Sequence, residues 1–283
     1  MTCSDCKEPV REGLTQCPHC GRPSWFPNVN AAQSDSERLA LEARYNSAVQ
    51  DAAARGADAP RAALETVASG AVAVCSRYFG EVYRLAYSED EVYATFYQRL
   101  AAGTRIPGGD RWEGLRSAAD TVLFGELQKR EVRFAALTVN DSGLTNYGDW
   151  MLFPKEDMIA HRSTVFEENS VLFFRKHDIR AGNDYAVPQG YRAPWEMRHR
   201  LVAAKLAPSL NSATDATEFA SLLLKSGVDS ANDEFVEVHI WGGLTIRSFV
   251  KVSGRFCKEL PSPHEQKVLE EKLNQVNVAL EMP

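Results

Sequence analysis

Four of the six cysteines fall within the first twenty residues, as Cys3-x2-Cys6 and Cys17-x2-Cys20 with ten residues between the pairs. Each pair can offer two thiolates to one ion from a tight knuckle, and four thiolates complete the closed tetrahedral shell of structural zinc. Gly21, directly after the last ligand, lets the backbone turn back without a Cβ clash. Two disulfides are the alternative, disfavoured in a chain read as lacking an export signal. A redox C-x-x-C normally comes singly, between a strand and a helix. Four thiolates leave no open position, so such a metal would hold structure and do no chemistry. The reacting groups must lie elsewhere, and Phe235-Val-Glu-Val-His-Ile-Trp-Gly242 gathers the most suggestive set. Side chains alternate along a strand, so Phe235, Glu237, His239 and Trp241 share one side. Val236, Val238 and Ile240 make the core side, which leaves Glu237 and His239 on a solvated surface or on the floor of a cleft.

Other local signatures are missing. The sequence carries no Walker A loop, no dinucleotide glycine fingerprint, no G-x-S-x-G elbow and no H-E-x-x-H. Residues 1–24 resemble the zinc-ribbon family, but their charges balance, so they carry no basic face for nucleic acid. The whole chain has 32 Lys and Arg against 38 Asp and Glu, a net charge of −6 that excludes coating nucleic acid by bulk charge. Within it, His161–Lys205 holds eight Lys and Arg against five Asp and Glu. Arg192, Arg198, Arg200 and Lys205, with Trp195 and His199, suggest either a solvated helix face or a cationic patch for a dinucleotide or RNA. An apolar fraction of 44% excludes a disordered chain, and no apolar run approaches the roughly 20 residues of a membrane span. A cytoplasmic protein with no membrane contact is the expectation. Cys75 and Cys257 read as isolated structural thiols.

The elements that would position these groups follow from periodicity. Residues 25–33 read as a linker after the ribbon. A helix opens at the capping box Ser34-x-x-Glu37, with Leu41, Tyr45, Ala48, Val49 and Ala52 on one face. Further helices are expected over 61–87, from Ser88-x-x-Glu91 to Ala102, and over 110–129, with a turn at Ile106-Pro-Gly-Gly109. Residues 34–130 therefore read as a mainly helical module. Strands are expected over 131–139, 150–153, 162–166, 171–175 and 235–241, with helices over 195–207, 214–225 and 263–280. Residues 131–283 read as α+β with short, mostly antiparallel strands.

The order of these motifs resembles the ADP-ribosyltransferase fold, in particular bacterial toxin and effector members. Residues 147–174, from Tyr147-Gly-Asp to Val171-Leu-Phe-Phe, resemble the middle region of such proteins, and residues 235–245 resemble their glutamate strand. The resemblance spans about residues 130–255. It implies Arg133 or Tyr147 for the first motif, Ser163 and Thr164 for the second, and Glu237 for the third. NAD is then the implied co-substrate, contacted by Arg133, Tyr147, Arg162 and Thr164. Glu237 would stabilise the positive charge that develops on the ribose as nicotinamide leaves. Ser163 would brace Glu237, an Arg would hold the pyrophosphate, and His239 would serve the acceptor as a base. The late pattern usually has Glu or Gln two residues before the Glu, whereas this chain has Phe235, so a protein or nucleic-acid acceptor stays open. A toxin of this kind implies a neutralising protein partner, contacted through the acidic helical region. The rival reading is a non-enzymatic zinc-ribbon adaptor that binds RNA or protein through the Arg192–Lys205 patch.

Overall fold

A computed structural model describes residues 6, 8–9, 17–21, 26–103, 111–179 and 186–283. Cys3, most of the spacer between the two cysteine pairs and the turn expected at 106–109 lie outside the described residues. The helical segment begins earlier than expected, since the 25–33 linker contains α1 (Pro27–Ala32), with proline at its first turn. Then comes α2 (Asp35–Ala54), where the Ser34 hydroxyl caps the helix by accepting from the Glu37 N–H, while the Glu37 carboxylate accepts from the Gly190 N–H and Arg192 instead of closing the expected box.

The helix expected over 61–87 is in fact α3 (Asp58–Ser69), β1 (Val72–Arg77) and α4 (Phe79–Tyr87). Gly70 ends α3, and the small apolar run beyond it is buried on both faces, which erases the alternation that marks a half-exposed strand. The box at Ser88 is also overruled. Helix α5 spans Phe96–Ala101 and is capped reciprocally by Thr95 and Gln98. After α6 (Arg111–Phe124) come β2 (Val132–Thr138), β3 (Trp150–Pro154), α7 (Glu156–Ile159) and β4 (Ser163–Phe166). The strand expected over 171–175 is α8 (Ser170–Lys176), because the Asn169 side chain accepts from the Val171 N–H and starts a helix. The remaining elements are β5 (Arg192–Pro194), α9 (Arg198–Leu206), α10 (Phe219–Leu223), β6 (Leu224–Lys225), β7 (Glu234–Phe235), β8 (Glu237–Trp241), β9 (Phe249–Ser253), α11 (Pro263–Gln275) and β10 (Ala279–Glu281).

Eight strands form one sheet in the order β10-β9-β3-β1-β2-β8-β4-β5, antiparallel throughout except for the β10–β9 pair. The chain is thus α+β with a mostly antiparallel sheet. Strand β1, from the segment read as helical, lies in the middle of this sheet between β3 and β2. One sheet face carries the main core: Ala73, Cys75, Leu137, Leu152, Val165, Val238 and Ile240 pack with Leu41, Leu64, Leu201 and Leu269 from the helices. Burial pushes the Cys75 thiol up to about 11, in line with an inert structural cysteine. The opposite face is covered by two smaller apolar groups, one around Met151 and Phe153 and one around Phe166 and Phe173. Between them this face carries polar side chains. No helix among the described residues is long and apolar enough to cross a membrane.

Candidate functional site

Register decides which side chains reach the polar face. In the β2–β8–β4 ladder, Phe134 and Thr164 lie opposite His239, and Ala136 and Phe166 lie opposite Glu237. These residues share the face away from the main core. There a cavity of about 340 Å³ opens between the sheet, the α5 region, α6 and the start of α8. Glu237, Arg116, Tyr147 and Asn169 border it, as do Arg77 and Arg99.

Glu237 is buried, and its Oε2 accepts from the Ser170 N–H at 3.0 Å and stands 3.1 Å from His239 Nε2. His239 is only 2% exposed and lies behind Glu237, outside the cavity lining. The structure thus places His239 against Glu237 and not on the cavity surface, where a base towards an acceptor was expected. Tyr147 does border the cavity; its hydroxyl accepts from Asn169 Nδ2 at 3.5 Å, and burial pushes that hydroxyl up to about 12.

Beneath the cavity sits a carboxyl that sequence reasoning missed. Asp120 of α6 is fully buried; its Oδ2 accepts from the Tyr97 hydroxyl at 2.6 Å, and Arg116 Nε lies 3.9 Å from it. Its Oδ1 has no hydrogen-bond partner among the described residues. Burial pushes this carboxyl up to about 6, against the lowering pull of Arg116. The cavity's cations were also missed. The Arg77 guanidinium lies over the Tyr93 ring at 4.4 Å and pairs with Glu81 at 3.3 Å, and Arg99 pairs with the same Glu81. No sequence pattern separates these arginines from ordinary helix and strand-end charges.

Of the other expected contacts, Ser163, Thr164 and Arg162 fall outside the cavity lining. Ser163 lies opposite Ile240, on the main-core face, so it cannot brace Glu237. Thr164 shares the face of His239 but is buried in the strand, outside the cavity lining. Arg133 lies opposite Ile240, and its guanidinium donates to the carbonyls of Tyr93 and Glu131 and to Gln98 Oε1. Arg133 does border the cavity, with its guanidinium fastening the Tyr93–Gln98 segment of the lining. Arg162 donates to the carbonyls of Met158, Trp241 and Gly243 and pins the end of β8.

The cationic patch disperses in the same way. Arg198 is buried and donates to the carbonyls of Ser69, Ala71 and Trp195. Arg192 pairs with the buried Glu37 at 2.6 Å, and Arg200 lies over the Tyr45 ring. Lys205 Nζ donates to the Phe235 carbonyl, and burial pushes its ammonium down to about 8. Arg192, Arg198 and Lys205 are thus engaged within the fold.

At the N-terminus, Cys6, Cys17 and Cys20 bring their sulfurs within 4.8 Å of one another, with Cys6 and Cys17 Sγ 3.6 Å apart. A tetrahedral thiolate site with metal–sulfur bonds of about 2.3 Å has sulfur–sulfur edges of roughly 3.8 Å. The three cysteines thus suit a metal ion. The Gly21 N–H donates to the Cys17 carbonyl at 2.8 Å, and its φ of +73° is the turn glycine supplies most readily. Comparison with protein-family models finds no match to this chain, and comparison with curated proteins finds none either.

Proposed function

We propose that the chain is an ADP-ribosyltransferase-like enzyme of the effector type, which takes NAD into the cavity on the polar face of the sheet and uses Glu237 on its ribose. The observation that carries this reading is the setting of Glu237. It is a carboxylate on the cavity wall, held by the Ser170 N–H and 3.1 Å from His239 Nε2, with Arg77, Arg99 and Arg116 in the same lining. The volume of about 340 Å³ falls within the usual range of ligand sites, roughly 300–1,000 Å³, and has room for the nicotinamide–ribose half of the dinucleotide.

In this mechanism the bond between nicotinamide and ribose breaks with its electron pair leaving on nicotinamide. Positive charge develops on the ribose, and a fixed carboxylate in a water-poor site stabilises it far more than bulk solvent would. Arg77, Arg99 and Arg116 meet the phosphates through their planar forks, while Arg133 in the same lining donates to Tyr93, Glu131 and Gln98. A protein or nucleic-acid nucleophile then takes the ADP-ribose. Cys6, Cys17 and Cys20, with Cys3 as the fourth thiolate the sequence supplies, would hold zinc in a closed structural role. A neutralising protein partner belongs to the same reading. The adaptor alternative loses support, because Arg192, Arg198 and Lys205 are spent on internal acceptors.

The test is nicotinamide release from NAD by the purified protein, with and without protein and nucleic-acid acceptors. Release by the wild type that Glu237→Gln lowers by at least about 100-fold supports the reading. Folded wild type that releases none, or a Glu237→Gln variant as active as wild type, overturns it.

A further inference from the structure

His239 has an environment that a surface or core histidine does not need. Its ring is enclosed by Phe124 of α6 (centroids 4.9 Å apart), Phe134 of β2 (5.3 Å) and Phe166 of β4 (5.7 Å). The first two meet it edge-on and the third lies nearly parallel to it. Three rings from three elements hold the plane of the imidazole. Within that plane Nε2 stands 3.1 Å from Glu237 Oε2. Burying a polar ring among phenyl groups costs free energy unless its nitrogen is used. The use on offer is the neighbouring carboxylate.

We infer that His239 is a positioning residue for Glu237, an inference that rests on the cavity being the NAD site. An ionised carboxylate only accepts hydrogen bonds, and Glu237 Oε2 already accepts from the Ser170 N–H, so Nε2 carries the proton of the shared bond. Both donors converge on Oε2, and Oε1 is the oxygen that neither engages. One end of the carboxylate is tethered from strand and helix at once, and the other is available to a sugar hydroxyl in the cavity. The tether lies two residues along the same strand, and its aromatic cage ties the orientation of Glu237 to the packing of α6, β2 and β4. The bracing assigned to Ser163 on sequence grounds is thus done by His239 and the Ser170 backbone.

Two variants and one spectroscopic signature test this. Phenylalanine fits the aromatic cage but has no donor, so His239→Phe lowers kcat for nicotinamide release by on the order of 10- to 100-fold, as misplacement of a reacting group does, with KM for NAD nearly unchanged. His239→Gln, which places an amide N–H near the position of Nε2, recovers most of that loss. Equal losses in both variants, or a loss confined to KM, overturns the proposal. Independently of turnover, ¹⁵N NMR of the histidine rings should show a protected Nε2–H for His239 that disappears in Glu237→Leu. A proton on Nδ1 alone, or an Nε2–H indifferent to Glu237→Leu, overturns it as well. If the wild type releases no nicotinamide, the NAD reading fails, and the NMR result alone then decides whether His239 holds Glu237.

Discussion

Asp120 is the most perturbed carboxyl near the site, and replacing it by asparagine gives a measurable consequence. The side chain is fully buried, receives the Tyr97 hydroxyl on Oδ2 and has Oδ1 unpartnered among the described residues. The charged and titratable groups around it are Tyr97 of α5, Arg116 of its own helix, and Glu237 and His239 of β8. Burial raises its value from 3.8 to about 6, with Arg116 and the Tyr97 hydrogen bond pulling the other way. A shift of about two units corresponds to about 3 kcal/mol. The folded state holds its proton to higher pH than the unfolded chain. The stability contributed by the neutral carboxyl is therefore complete below about pH 4 and is lost as pH rises through about 6. Asparagine keeps an acceptor for Tyr97 and does not titrate, so its fixed packing and hydrogen-bond changes cancel between two pH values. The stability of Asp120→Asn relative to wild type should increase by about 2 kcal/mol between about pH 4.5 and about pH 7.5. Urea unfolding followed by tryptophan fluorescence reads it, since Trp150 and Trp195 are buried. A difference that stays constant across this range would refute the argument, because Asp120 would then titrate as an ordinary carboxyl.

Gly148→Ala should be severely disruptive: at φ +130° its Cβ would lie 2.0 Å from the Arg77 carbonyl carbon. A loss of at least about 3 kcal/mol is expected in the same unfolding assay, and a near-neutral result would contradict the close approach of the two loops. Arg133→Ala should cost about 3 kcal/mol or more, because three acceptors in or beside the cavity lining lose a charged donor. If its stability is wild type, the structural role assigned to Arg133 is wrong. Metal analysis after zinc-replete purification should give about one equivalent in the wild type and less than about half in Cys17→Ser. Equal contents would remove Cys17 from the ligand set.

The cysteine pairs were legible because metal ligation depends on local spacing, as were the Ser34 and Ser262 caps, whose partners lie three residues away. Strands β2, β3 and β8 were legible from composition and alternation. Strand β1 was not, because Val72–Ser76 is buried on both faces and its partners, Thr138 and Leu152 among them, are far away in sequence. The run Val171–Phe174 failed for a related reason: apolar residues in succession fit a buried strand or a buried helix, and the Asn169 cap decided for helix. The face carrying Glu237 and His239 followed from alternation, but whether Ser163 or Thr164 shares it depends on the register between β4 and β8. Arginines are the least legible residues. Arg198 read as part of a surface patch, yet its acceptors are carbonyls at the end of α3, more than a hundred residues away. Arg77 and Arg116 gained a role only once β1 and α6 met over the same cavity.

The proposed binding of NAD in this cavity can be read along the backbone. Hydrogen–deuterium exchange of the whole chain, with and without saturating NAD, tests it most directly. Slower exchange is expected in the segments that border the cavity, residues 93–99, 144–147 and 169–171, and in β8 at Glu237. Protection confined to other segments, or none at NAD concentrations where binding is seen by calorimetry, would contradict it.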